Sequence, residues 1–233
     1  MAGSEATFQH GLRQAISTPF YLAQFVIVGF TVVLVGRMLI DLFITGSDPA
    51  GLQAAEAALR GDLEMTQWLP NVGGSATARA LRWAGLAHEW LFVKTGIDQT
   101  LIAPEVSELE YVFRRGMNAT VTKPHWQAAM LGVQTLVVRA SMLQTMLPTL
   151  ALIYVVAVVD GSVGRWLRRE GGGRESSTMY HRSKYLHAVG ATLFVMMWFW
   201  YPGSINFWLV ASIMITMGGF LLRTQLMYYK KYI

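Results

Sequence analysis

Residues 128–159 read AAMLGVQTLVVRASMLQTMLPTLALIYVVAVV, with Arg139 as the one charge in the run. At 1.5 Å per residue, a helix this long exceeds a single perpendicular bilayer crossing. The cleanest span is Ser141–Val159. Arg139 then falls at the interface, and the helix can start outside the bilayer near Trp126. Pro148 is expected to kink it, because proline removes a backbone donor and clashes with the preceding turn.

Similar stretches lie on both sides. Phe20–Leu42 reads FYLAQFVIVGFTVVLVGRMLIDL, with no charge before Arg37 and Asp41. A cleaved signal would have a shorter apolar core followed by small residues. Gly36-Arg37-Met38 does not fit, so the stretch reads as an anchor. Leu186–Tyr201 and Asn206–Leu222 flank the turn residues Pro202-Gly203-Ser204, which predicts a hairpin. Trp198, Trp200, Tyr201 and Trp208 cluster at that turn, where aromatic rings favour the headgroup level. The expected class is an all-α integral membrane protein with about four transmembrane helices. Its parts are a cytoplasmic N-terminus (1–19), a first span (20–42) and a helical extracytoplasmic segment (43–127). A helix with the second span (128–159), a basic cytoplasmic loop (160–185), a transmembrane hairpin (186–222) and a cytoplasmic tail (223–233) follow.

Composition agrees. Of 233 residues, 53% are apolar and 14% charged, against roughly 25% charged in a soluble domain. The absence of cysteine excludes disulfides, thiol nucleophiles and thiolate metal sites. The net charge of +5 suits either a nucleic-acid binder or a membrane protein with basic cytoplasmic loops. Its distribution favours the second. Residues 160–185 hold six bases and three acids, and the tail adds Arg223, Lys230 and Lys231. Residues 41–127 hold ten acids and seven bases. Basic residues concentrate on the cytoplasmic side of short loops. The expected topology therefore has both termini cytoplasmic.

The extracytoplasmic segment reads as helical. Ser47-Asp48-Pro49 is a start signal and Asn71-Val72-Gly73-Gly74 a break. Ser75 can cap a second helix through Val93, and Pro104 opens a third that stops at Gly116. With a limited core of their own, these helices are expected to lean on each other and on the membrane surface. His88-Glu89 lacks the second histidine of a zincin helix, so no metal is expected there. Glu105, Glu108 and Glu110 read as a solvated helix start.

The densest feature is 160-DGSVGRWLRREGGGRESSTMYHRSKY-185. A short basic turn, Val163–Arg169, leaves the membrane and Gly171–Gly173 break it. A phosphate loop would need a Gly-Lys-Ser/Thr ending after a strand, and neither is present. Glycines let a backbone approach a partner closely, and arginine's planar fork matches carboxylates. Arg168, Arg169, Arg174, Glu175, Ser176, Ser177, Tyr180 and His181 are the expected partner-docking residues. In the last span, the small residues Ser212, Thr216, Gly218 and Gly219 are the expected helix-packing positions.

This loop resembles the integrating conjugative element membrane protein family. Its members show Asp-Gly at the end of a membrane helix, an arginine-rich turn, Gly-Gly-Arg-Glu-Ser-Ser and Tyr-His. Here these are Asp160-Gly161, Arg168-Arg169, Gly172-Gly173-Arg174-Glu175-Ser176-Ser177 and Tyr180-His181. The plan of one early span, a long middle, a second span, the loop and a hairpin also agrees, while the middle offers no motif to match. Genes of this family usually sit beside the coupling ATPase of a type IV secretion system. The resemblance therefore implies a part in conjugative DNA transfer, with the coupling ATPase or other conjugation membrane subunits as partners. It supplies no catalytic residue and no cofactor.

The competing class is a small transporter or channel. Arg37 and Arg139 fall near the outer ends of their spans, where they can snorkel to the interface, so they point only weakly to a pathway. An intramembrane enzyme is disfavoured, since no acid or histidine stands deep in any span. Direct DNA binding is not required by the basic charge, which topology already explains.

Overall fold

The computed structural model describes residues 24, 27–41, 43, 49–71, 74–97, 123–172 and 176–229. The expected N-terminal segment 1–19, Ser47-Asp48, the helix from Pro104 to Gly116, Arg174 with Glu175, and Lys230 with Lys231 lie outside the described residues. Among the described residues every regular element is helical. In order they are α1 (Ile27–Ile40), α2 (Pro49–Thr66) and α3 (Ala76–His88) with a π-helical turn at Glu89–Val93. Then come α4 (Lys123–Glu170), α5 (Ser177–Trp200) and α6 (Phe207–Met227).

Local chemistry sets these boundaries. Pro49 opens α2, where its missing N–H costs nothing. The Ser75 hydroxyl accepts from the Ala78 N–H to cap α3. Ser176 does the same for α5 through the Met179 N–H, and the Asn206 carboxamide for α6 through the Leu209 N–H.

α4 runs through Pro148 as one helix of 48 residues and passes through two surroundings. Its first half is a buried core element. Ala128, Ala129, Val133, Leu136, Val138 and Met142 are at most 1% exposed, under α2 and α3, which both pack on α4. α3 presents Ala76, Ala80 and Ala84 at four-residue intervals, all buried, so the helices approach closely. The outer helices thus take their core from α4 rather than from each other alone. Beyond Leu147 the surroundings reverse. Leu147, Leu152, Val155, Val156, Val158 and Val159 are exposed. The His125–Glu170 part of α4 and all of α6 are long and apolar enough to cross a membrane, and α1 is a shorter apolar helix.

The expected loop at 160–185 is mostly helix. α4 continues through Asp160 to Glu170, and α5 begins at Ser177. Gly161 and Gly164 do not break the helix because their bare faces meet α6. A side chain on Gly161 would stand 2.7 Å from the Arg223 carbonyl oxygen, and one on Gly164 would touch Met227.

α6 lies between α4 and α5, which barely meet each other. Gly218 and Gly219 are buried, against Tyr154 and Ile153 of α4. Ser212 and Thr216 are on the exposed face, so of the four expected packing positions the two glycines are the ones that pack within the chain. A side chain at Gly218 would stand 2.7 Å from the Tyr154 hydroxyl, and one at Gly219 2.9 Å from Ile153 Cγ2. Leucine at either is expected to destabilise the purified protein by about 1–3 kcal/mol through overpacking. Unchanged thermal midpoints for both would contradict this contact.

Candidate functional site: a buried charge layer and a basic aromatic end

α5 ends at Trp200 in a turn, and the last carbonyls of a helix have no partner within it and carry partial negative charge. Two arginines from elsewhere in the chain meet them. Arg139 Nη1 donates to the Trp198 and Tyr201 carbonyls, each at 2.8 Å, and Nη2 donates to the Gly203 carbonyl. Arg37 Nη1 donates to the Tyr201 carbonyl at 2.6 Å. Each arginine also pairs through Nε with a carboxylate at 2.6 Å, Arg139 with Asp62 of α2 and Arg37 with Asp41. All four side chains are fully buried. The Trp198 ring lies 5.5 Å from the Arg139 guanidinium, within cation–π range. Burial pushes the Asp62 carboxyl above its ordinary pKa, while the adjacent Arg139 pulls it down.

The expectation that Arg37 and Arg139 snorkel is therefore corrected. The hairpin's end carbonyls and the two aspartates hold both guanidiniums inside the protein. This layer joins α1, α2, α4 and the hairpin. Its buried ion pairs and the carbonyl bonds make it a clamp, and the sequence reading paired neither Asp41 nor Asp62 with its arginine. The spacing of Arg37 and Asp41, four apart on a helix, was the available signal.

The opposite end gathers several of the expected docking residues. Arg223 of α6 pairs with Asp160 of α4. Arg168 lies over the Tyr228 ring at 3.7 Å, and Arg165 over Tyr229 at 5.2 Å. Tyr180 meets Tyr229 edge-on at 5.6 Å, and His181 stacks on Tyr185 at 6.5 Å. The ends of α4 and α6 and the start of α5 thus bring Arg168, Tyr180 and His181 into one surface. Arg169 is exposed beside them and Ser177 half-buried. Ser176 is occupied locally as the α5 cap. Trp166 and Leu167 are exposed on the same helical end, giving the surface apolar as well as cationic character. Tyr228 and Tyr229 were missed because the tail was read for charge only.

Elsewhere, the Gln134 amide meets His88 Nδ1 at 3.3 Å, and Glu89 pairs with Lys94 at 3.3 Å. No group of three or more His, Asp and Glu side chains among the described residues is placed to hold a metal ion.

A family model described as IncC plasmid conjugative DNA transfer protein DtrJ-like matches residues 47–229. The chain belongs to the DtrJ-like family. It is a conjugative DNA transfer protein, in agreement with the process that the 160–181 motif implies. Comparison with curated proteins and with solved structures gives no match. The DtrJ-like region spans α2 to α6. It contains the Asp62–Arg139 pair and the basic aromatic end, whereas Arg37 and Asp41 precede it.

Proposed function

We propose that this chain is a non-enzymatic inner-membrane subunit of a conjugative type IV secretion apparatus, and that its basic aromatic end docks the coupling ATPase. Membership of the DtrJ-like family supports the process. The membrane reading rests on exposed apolar surface lying between two charged layers. Residues 140–159 of α4 carry no charge. They separate Arg139 from Asp160 by about 31 Å of helix, close to the ~30 Å thickness of a hydrocarbon core. Four spans with both termini cytoplasmic then place the charge layer outside and the arginine–tyrosine end inside. Single cysteines replacing Trp68 and Thr178, both exposed, test this in a cysteine-free chain. An impermeant thiol reagent on intact spheroplasts should label position 68 and spare 178. Labelling at 178 would reverse the topology.

The observation that carries docking is the Arg168–Tyr228 stack beside exposed Trp166. Anionic headgroups respond to charge, whereas a shaped protein surface depends on the planar guanidinium. Arg168→Lys should therefore leave membrane insertion unchanged yet weaken recovery of the coupling ATPase by roughly thirtyfold, if Arg168 acts as an interface anchor. Conjugative transfer frequency should fall with it. Arg174→Lys and Glu175→Gln are expected to act in the same direction. Wild-type recovery and transfer for all three variants would leave this end as a topology signal.

A further inference from the structure

Because α4 and α5 both pack on α6 and barely on each other, a groove of about 700 Å³ remains between them. Leu143, Leu150, Phe194 and Met197 wall it, and Ile213 and Met217 line it from α6. Its rims, Leu147 and Leu193, are 56% and 60% exposed. The groove lies along the uncharged part of α4, so at bilayer depth on the membrane reading above, on which this inference rests.

One end of the groove is polar. Tyr154 and His187 line it there. The Gln225 Nε2 amide donates to His187 Nδ1 at 2.9 Å, and His187 Nε2 lies 3.0 Å from the Tyr154 hydroxyl. With Nδ1 accepting, the neutral ring carries its proton on Nε2 and donates it to Tyr154. The Tyr154 O–H then remains as an uncommitted donor at the groove. Lys184 is exposed and stands three and seven residues before His187 and Ala191, both lining residues. It therefore shares their helical stripe. At the other end the nearby cation among the described residues is Arg139, whose donors are taken by Asp62 and the hairpin carbonyls.

We infer that the groove binds a phospholipid of the inner leaflet. One acyl chain lies in the apolar trough, its ester carbonyl accepts from the Tyr154 hydroxyl, and an anionic headgroup meets Lys184. Charge and depth agree: Tyr154 lies six residues, about 9 Å, inside Asp160, where the ester belongs if the headgroup is at Lys184.

The test is lipid extraction and mass spectrometry of the full chain purified in mild detergent. It is paired with reconstitution into vesicles of phosphatidylcholine with and without phosphatidylglycerol. Wild type should retain phospholipid and select phosphatidylglycerol. Lys184→Gln should lower that selection about fivefold, and Tyr154→Phe should lower total retained lipid, with insertion unchanged. Ala191→Phe, which fills the trough, should abolish retention. Wild-type lipid content in Lys184→Gln and Tyr154→Phe overturns the site, and so does a photo-crosslinker at Leu193 that captures a protein helix instead of lipid. Release of the protein from membranes by carbonate, without detergent, would instead overturn the membrane reading itself.

Discussion

Arg139→Leu is expected to destabilise the protein by roughly 3–5 kcal/mol, because removing one partner of a buried ion pair strands the other. Asp62 would be left fully buried with its guanidinium gone, and the Trp198 and Gly203 carbonyls would lose their donors. Asp62→Leu combined with Arg139→Leu should recover part of the loss, since no carboxylate is then stranded. It should stay below wild type, because each buried carbonyl without a partner costs about 1–3 kcal/mol. Thermal unfolding in mild detergent, with limited proteolysis of α2 and α3, reads both effects. A single variant that melts within about 2 °C of wild type would show that the layer does not hold the fold together.

Gly132→Ala should detach α1. A methyl group at Gly132 would land on the Asp41 carboxylate and stand 3.1 Å from Arg37 Nε. Neither group can retreat cheaply. Both are fully buried, and Arg37 is tied to the hairpin through the Tyr201 carbonyl. The backbones must separate, which breaks the Arg37–Asp41 seat and exposes the small core of Phe92, Met130 and Val133 that Leu34 and Met38 cover. The expected loss is at least the ~1–3 kcal/mol of overpacking, and more if the ion pair is exposed unpaired. A cysteine replacing Met38 should gain thiol reactivity in the Gly132→Ala background. Unchanged reactivity with an unchanged thermal midpoint would refute the seat. Asp41→Asn should loosen α1 less than Gly132→Ala, since the backbones can stay in place.

The helices were legible where local chemistry marks them. Pro49 and Ser75 sit at starts that cap and turn rules recognise, and Pro202-Gly203 sits at a turn they also predict, whereas the start of α5 at the Ser176 cap, ten residues before the expected Leu186, was not foreseen. The apolar runs stood out for the same reason, since a run's hydropathy is a local property that needs no partner elsewhere in the chain. The continuation of α4 past Asp160 was missed because the apolar run ends there and the charges that follow read as a loop, while the contacts of Gly161 and Gly164 with α6 have no local sign. The charge layer was missed for a deeper reason. Asp62 and Arg139 are 77 residues apart, and nothing local to either identifies the other as its partner. Of the candidate docking residues, Arg168, Tyr180 and His181 could be named from their motif. Tyr228 and Tyr229 could not, because aromatic stacking on an arginine depends on where two helix ends converge.

α4 also bears on how the two sides of the protein communicate. A continuous helix of 48 residues is about 72 Å long, and one rod carries both Arg139 and Arg168. A rigid rod of that length would carry a tilt imposed at the arginine–tyrosine end to the layer under α2 and α3, with bending easiest near Pro148, where a backbone hydrogen bond is missing. α6 would move with it, since the two helices stay in contact from Ile153 and Tyr154, against Gly218 and Gly219, to Gly161 and Gly164, against Arg223 and Met227.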